Sequence, residues 1–238
     1  MNPPSTQWSK VLEAQNSDSG PARAALASLC ELYWLPIYVY IRSRGYQVAD
    51  AEELTQGFFA ELLDKQLLKK ADPGRGKFRN FLLTLVQHYV GGERRIDQAQ
   101  RRGGGRAKLS FEILDAERRS AGGFVVDDDP QQAYCRQWAL TLLEICYQRL
   151  ASEQDSPERK LRFQLLNDYV TATDAVVPYD QLAEQAGVAS GLLRVSVHRL
   201  RARYGELLRE EIARTLGRGE SIDSEIDELF SALAQQSS

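Results

Sequence analysis

Apolar residues that return every three or four positions run through nearly every stretch of this chain, and that spacing limits its fold more than any other feature. No segment sustains the alternation and turn chemistry of a sheet. The predicted class is all-α. Ser19-Gly20-Pro21 places a proline where a helix tolerates it, in the first turn, ahead of Leu26, Leu29, Tyr33, Ile37 and Tyr40. Pro36 is expected to bend that helix. Asp50 reads as the cap of a second helix, with Glu53 in the capping-box position and Leu54, Phe58 and Leu62 as its buried stripe. Asp72-Pro73-Gly74 then breaks the chain, and a third helix carries Phe78, Phe81 or Leu82, Leu85 and Tyr89. At Gly91-Gly92 each glycine costs about 1 kcal/mol relative to alanine, so a kink or an end is expected there.

Beyond that point the pattern loosens. Gly103-Gly104-Gly105, Gly122-Gly123 and the Asp127-Asp128-Asp129-Pro130 run lie in a stretch with little apolar periodicity, which reads as a linker. The tripled glycine lacks the GxxxxGK[ST] context of a phosphate loop. The predicted layout is a first domain over residues 1–102, a flexible acidic linker over 103–132, a second domain over 133–214 and an acidic tail over 215–238. In the second domain Tyr134, Trp138, Leu142 and Ile145 share a helix face, and Ser156-Pro157 starts a helix expected to bury Leu161, Leu165 and Tyr169.

Charge is distributed unevenly. The 238 residues hold 30 basic and 33 acidic side chains, a net charge of −3, which argues against a protein that coats nucleic acid without selectivity. Yet from Arg75 to Lys108 nine basic residues face only two acidic ones, and from Arg194 to Arg214 six arginines stand against Glu206, Glu210 and Glu211. Acidity gathers instead at 50–64, at 127–129 and after Arg218. The three cysteines, Cys30, Cys135 and Cys146, are too few and too scattered for a disulfide framework or a zinc site, and read as buried thiols. The longest apolar run, Leu32 to Ile41, is roughly half of the 20 residues or so that a membrane helix needs. The N-terminus has no signal-peptide core, so a cytoplasmic protein without membrane contact is expected.

The most informative stretch is Tyr179 to Tyr204, YDQLAEQAGVASGLLRVSVHRLRARY. It reads as helix, tight turn, helix. Leu182, Ala183 and Ala186 form the inner face of the first helix, and Gly187 fits the left-handed conformation that ends it. Ser190 is expected to cap the second, whose inner stripe is Leu193, Val197, Leu200, Tyr204 and Leu207. The outer face then carries Ser190, Gly191, Arg194, Val195, His198 and Arg201, flanked by Arg199 and Arg203. A second helix of this kind suits the DNA major groove. Arg194 and His198 are placed for base edges, Val195 for a thymine methyl, and Arg199, Arg201 and Arg203 for phosphates.

Taken in order, three segments make the chain resemble a bacterial extracytoplasmic-function (ECF) sigma factor, a two-domain initiation factor of RNA polymerase, over roughly residues 22 to 214. Asp50-Ala51-Glu52-Glu53-Leu54-Thr55-Gln56-Gly57-Phe58-Phe59 looks like the family's helix for docking on core polymerase. The segment Phe78-Arg79-Asn80-Phe81-Leu82-Leu83 with Arg94-Arg95 looks like the part that opens and reads the −10 promoter element, and Tyr179 to Tyr204 is similar to the −35 reader. The resemblance implies that Asp50, Glu52, Glu53 and Gln56 contact polymerase and that Lys77, Arg79, Asn80, His88, Arg94 and Arg95 contact −10 DNA. It implies core RNA polymerase and promoter DNA as partners, a monomer when free, no cofactor or metal, and control by an anti-sigma factor or a kinase. Thr55, beside Glu52 and Glu53, is the residue a kinase would address.

Two other readings stay open. A stand-alone helix-turn-helix regulator would share the Tyr179 to Tyr204 segment, and would normally dimerise on paired half-sites. An enzyme has less behind it. His88 and His198 are the only histidines, no nucleophile motif or metal spacing accompanies them, and the adjacent Glu52 and Glu53 diverge on a helix.

Overall fold

The computed structural model describes residues 20–64, 67–72, 74, 76–100, 129–171, 177–216 and 219–234. Among them the regular elements are helices and no strand occurs, so the fold is all-α. The helices are α1 (Gly20–Ser43), α2 (Val48–Asp64), α3 (Phe78–Gln100), α4 (Pro130–Ser152), α5 (Pro157–Thr171), α6 (Tyr179–Ala186), α7 (Ser190–Thr215) and α8 (Ile222–Ala234), with a 3-10 turn at Leu67–Lys70. They fall into two compact units. The first takes α1 to α3, α4 up to Thr141, α7 from Ile212, and α8; the second takes Leu142 to Glu211. The division therefore runs through α4 and α7 rather than through a loop.

In the first unit α1 is the centre. Leu32, Tyr33 and every residue from Pro36 to Ile41 are buried, as expected of a helix that is apolar on all sides. Tyr33 meets Phe78 of α3 edge-on at 5.4 Å, an arrangement aromatic quadrupoles favour. Phe58 of α2 takes Tyr89 of α3 in the same way at 5.7 Å. One residue earlier the helix has Gly57, where a Cβ would run into the Tyr89 hydroxyl. The glycine leaves room for the end of the Tyr89 side chain.

Three local expectations change. Helix α2 begins at Val48, because the Gln47 carbonyl accepts from the Ala51 N–H at 2.8 Å, so Asp50 sits inside the first turn and not at the cap. Its carboxylate still complements the helix dipole. Helix α3 continues through Gly91-Gly92 to Gln100, since glycine weakens a helix without removing its hydrogen bonds. Helix α4 starts inside the predicted linker: Asp129 Oδ1 accepts from the Gln131 N–H at 3.1 Å, and Pro130 occupies the first turn. The remainder of that linker, 103–128, lies outside the described residues.

Tyr134 and Trp138 of α4 pack in the first unit, around Arg79. In the second unit Ser156 caps α5 by accepting from the Arg159 N–H at 3.2 Å. The buried face of α5 is Phe163, Leu166, Tyr169 and Val170, and Leu161 and Leu165 are exposed. Phe163, whose ring lies 5.4 Å from that of Tyr147 on α4, fixes this rotation. Cys146 is buried, partial burial pushes the Cys30 and Cys135 thiols up, and none of the three is in a disulfide.

Candidate nucleic-acid interface

Helices α6 and α7 meet across a turn that the local sequence dictates. Gly187 ends α6 at φ 65°, a left-handed conformation that costs glycine nothing. The Gly187 N–H donates to the Glu184 carbonyl at 3.4 Å, and the Val188 N–H reaches back to Ala183 at 3.0 Å, which satisfies the end of the helix. Helix α7 begins at Ser190 itself, and the Leu192 N–H donates to the carbonyl of Ala189 at 3.0 Å. Leu193 and Val197 of α7 pack with Leu182 and Ala183 of α6 and with Leu166 and Tyr169 of α5, and Tyr179 and Leu200 close the edges. This small core sets how α7 is presented.

Opposite that core Gly191, Arg194, Val195 and His198 stand exposed. The Arg194 side chain is 61% exposed; its guanidinium lies 5.4 Å over the Tyr179 ring and 3.9 Å from the Asp180 carboxylate. Those contacts are weak enough to exchange for a ligand. The remaining arginines separate from this group. Arg201 Nε donates to the Tyr169 carbonyl at 2.8 Å, capping the end of α5. Arg203 is held by both oxygens of Glu153 at 2.7 and 2.9 Å, and by Glu206 and Glu210. Arg149 of α4 binds Glu210 at 3.0 Å and also Glu211, so the acidic residues late in α7 belong to a charged seam with α4. Arg199 turns toward a cleft of about 260 Å³, which it lines with Arg159, Arg162 and Phe163.

The first unit rearranges the expected −10 contacts more deeply. Asn80 and His88 are exposed on α3. Arg94 and Arg95 belong to α3, and their side chains lie outside the described residues. Lys77 and Arg79 are turned inward, with side chains 13% and 7% exposed. Arg79 Nε and Nη2 donate to the two oxygens of Glu225 on α8 at 2.8 and 3.1 Å, and Nη2 also reaches Glu228 at 2.6 Å. Its guanidinium lies 4.8 Å from the Trp138 ring centre, Nη1 donates to Cys135 Sγ at 3.7 Å, and its carbonyl accepts from the Tyr134 hydroxyl at 3.0 Å. Lys77 Nζ binds Glu225 and, at 2.6 Å, Glu228. Burial works against the Arg79 charge, but the hydrogen bonds and field of Glu225 outweigh it and hold the guanidinium above its ordinary value. Burial likewise opposes the Glu228 charge, and Lys77 and Arg79 hold that carboxyl below the usual range. Arg79 is thus a buried structural cation and not an open DNA contact. Its partners in α8 were missed, because 215–238 reads as an acidic tail; the signal for a helix there is Ile222, Ile226, Leu229 and Leu233 at spacings of three and four.

On α2, Asp50, Glu53 and Gln56 are exposed. Glu52 is buried at 9% exposure, where its carboxylate accepts from Gln56 Nε2 at 3.1 Å, so it leaves the expected docking face. Thr55 is fully buried and its hydroxyl donates to the Ala51 carbonyl at 2.6 Å, which closes it to a kinase in the folded chain. Among the described residues no cluster of three or more His, Cys, Asp or Glu side chains is arranged for a metal ion, and no helix is long and apolar enough to cross a membrane.

No protein-family model matches the chain, and comparisons with curated proteins and with solved structures return no match.

Proposed function

We propose that this chain is a sigma-type initiation factor of bacterial RNA polymerase, resembling the ECF class, which selects a two-part promoter and assists its melting without chemistry of its own. The reading rests above all on the exposed face of α7, where Arg194, Val195 and His198 stand over a core formed with α6 and α5. A helix carried this way offers its first turns to base edges in the major groove, with arginine for guanine and valine for a thymine methyl. In this reading Asn80 and His88, with Arg94 and Arg95 further along α3, address the −10 element, and Asp50, Glu53 and Gln56 of α2 meet a basic surface of core polymerase. In this reading an anti-sigma factor is the natural inhibitor, and the free protein is a cytoplasmic monomer.

The test combines the full chain with bacterial core polymerase and fragmented genomic DNA, and maps transcript 5′ ends with and without it. New starts that share paired upstream elements are expected. With an active core, a folded chain and no new starts, the proposal falls. The same α7 face would then point to a stand-alone regulator that binds duplex DNA unaided.

A further inference from the structure

The geometry points to Lys77 and Arg79 as a phosphate-binding pair that the chain keeps occupied itself, with the Glu228 carboxylate standing where a nucleic-acid phosphate binds. The two carboxylates of α8 are not equivalent. Glu225 is 1% exposed and grips Arg79 through both oxygens, so it is the fixed counterion of the site. Glu228 is 50% exposed and bridges the two cations from the solvent side, one oxygen on Lys77 Nζ and the other on Arg79 Nη2, each at 2.6 Å. A phosphodiester presents two anionic oxygens that can make the same bridge, and guanidinium and ammonium groups bind carboxylate and phosphate by the same rules.

The site is also built. Trp138 lies under the guanidinium, Cys135 and Glu225 engage its other nitrogens, and the Tyr134 hydroxyl holds the Arg79 backbone, so the pair keeps its position when the outer carboxylate leaves. It lies at the start of α3, beside exposed Asn80 on the segment read above as the −10 contact. The inference rests on that reading of the first unit. Glu228 then lowers nucleic-acid affinity until a phosphate displaces it, which raises the selectivity of a chain whose net charge is already −3.

The experiment measures binding of the full chain to a fluorescently labelled single-stranded oligonucleotide across a salt series, for the wild type and for Glu228→Gln, Asp227→Asn, Lys77→Gln and the Lys77→Gln/Glu228→Gln pair. Asp227 is exposed on the same helix, so its substitution changes the charge equally outside the site. Glu228→Gln should bind about five- to tenfold more tightly near 50 mM salt, because the phosphate then has no carboxylate to displace. Asp227→Asn should match the wild type, and the double variant should lose the gain. Equal gains in Glu228→Gln and Asp227→Asn overturn the proposal, because charge alone then accounts for them; a gain that survives Lys77→Gln overturns it too. Thermal melts of each variant separate binding from folding, and a Glu228→Gln chain that melts like the wild type but binds no better also overturns it. If that happens while duplex binding remains Arg194-dependent, the self-occupied site is rejected and the DNA reading stands. If no variant binds single-stranded or duplex DNA, both fall.

Discussion

Arg79 and Arg194 have the same side chain in similarly basic surroundings, and burial gives them opposite roles. Arg194 keeps 61% of its side chain in solvent, whereas Arg79 is enclosed with Glu225. Removing one member of a buried pair strands the other without compensation. Arg79→Met should therefore destabilise the chain by about 3–5 kcal/mol in chemical denaturation, and replacing Glu225 by leucine as well should recover much of that loss. At Gly57 steric fit decides instead. Alanine normally favours a helix by about 1 kcal/mol over glycine, but here its Cβ meets the Tyr89 hydroxyl. Gly57→Ala should lower stability by about 1–3 kcal/mol, and Tyr89→Phe in the same chain should restore it by removing the obstructing oxygen. A melt of the double variant no better than that of Gly57→Ala would show that the hydroxyl is not the obstacle.

Within single elements, α7 divides its arginines by the direction in which each leaves the helix. Arg194 leaves opposite the core, Arg201 caps α5, and Arg203 joins the carboxylates of the α4 seam. Arg194→Ala should cost about 1–3 kcal/mol on a preferred duplex site, relax the base preference there and leave the melting curve unchanged. Equal weakening on every sequence would make it a phosphate contact only. Arg203→Ala should do the reverse, lowering stability by about 1 kcal/mol without changing base preference. Helix α8 is likewise divided, with Leu229 and Glu225 buried and Asp227, Glu228 and Phe230 exposed.

Across the whole molecule the charged seams make stability depend on acid. Hydrogen bonds from Arg203 hold the Glu153 carboxyl down, and Glu210 and Glu228 are held down by their cations against the opposing effect of burial. A carboxyl depressed in the folded state stabilises the fold fully above its unfolded value and progressively less as pH falls through the folded one. Stability should therefore be flat from neutral pH to about 5 and decline below about 4.5, with the decline reduced in Glu228→Gln and in Arg203→Ala; urea titrations at stepped pH check this.

Local patterns were enough to read the helical class, the start of α5, and the α6–Gly187–α7 turn with its exposed Arg194, Val195 and His198. Each of these depends on neighbours within a few positions, where spacing and turn chemistry act directly. Long-range packing is what buries Arg79, turns Glu52 and Thr55 inward, assigns Tyr134 and Trp138 to the first unit, and gives Lys77 its counterions on α8. Sequence distance accounts for the difference. Arg79 and Glu225 stand 146 residues apart, and no local pattern ties a cation to a carboxylate at that separation. Their pairing comes from the packing of α8 in the first unit, and it neutralises Lys77 and Arg79, which read as open cations in the sequence.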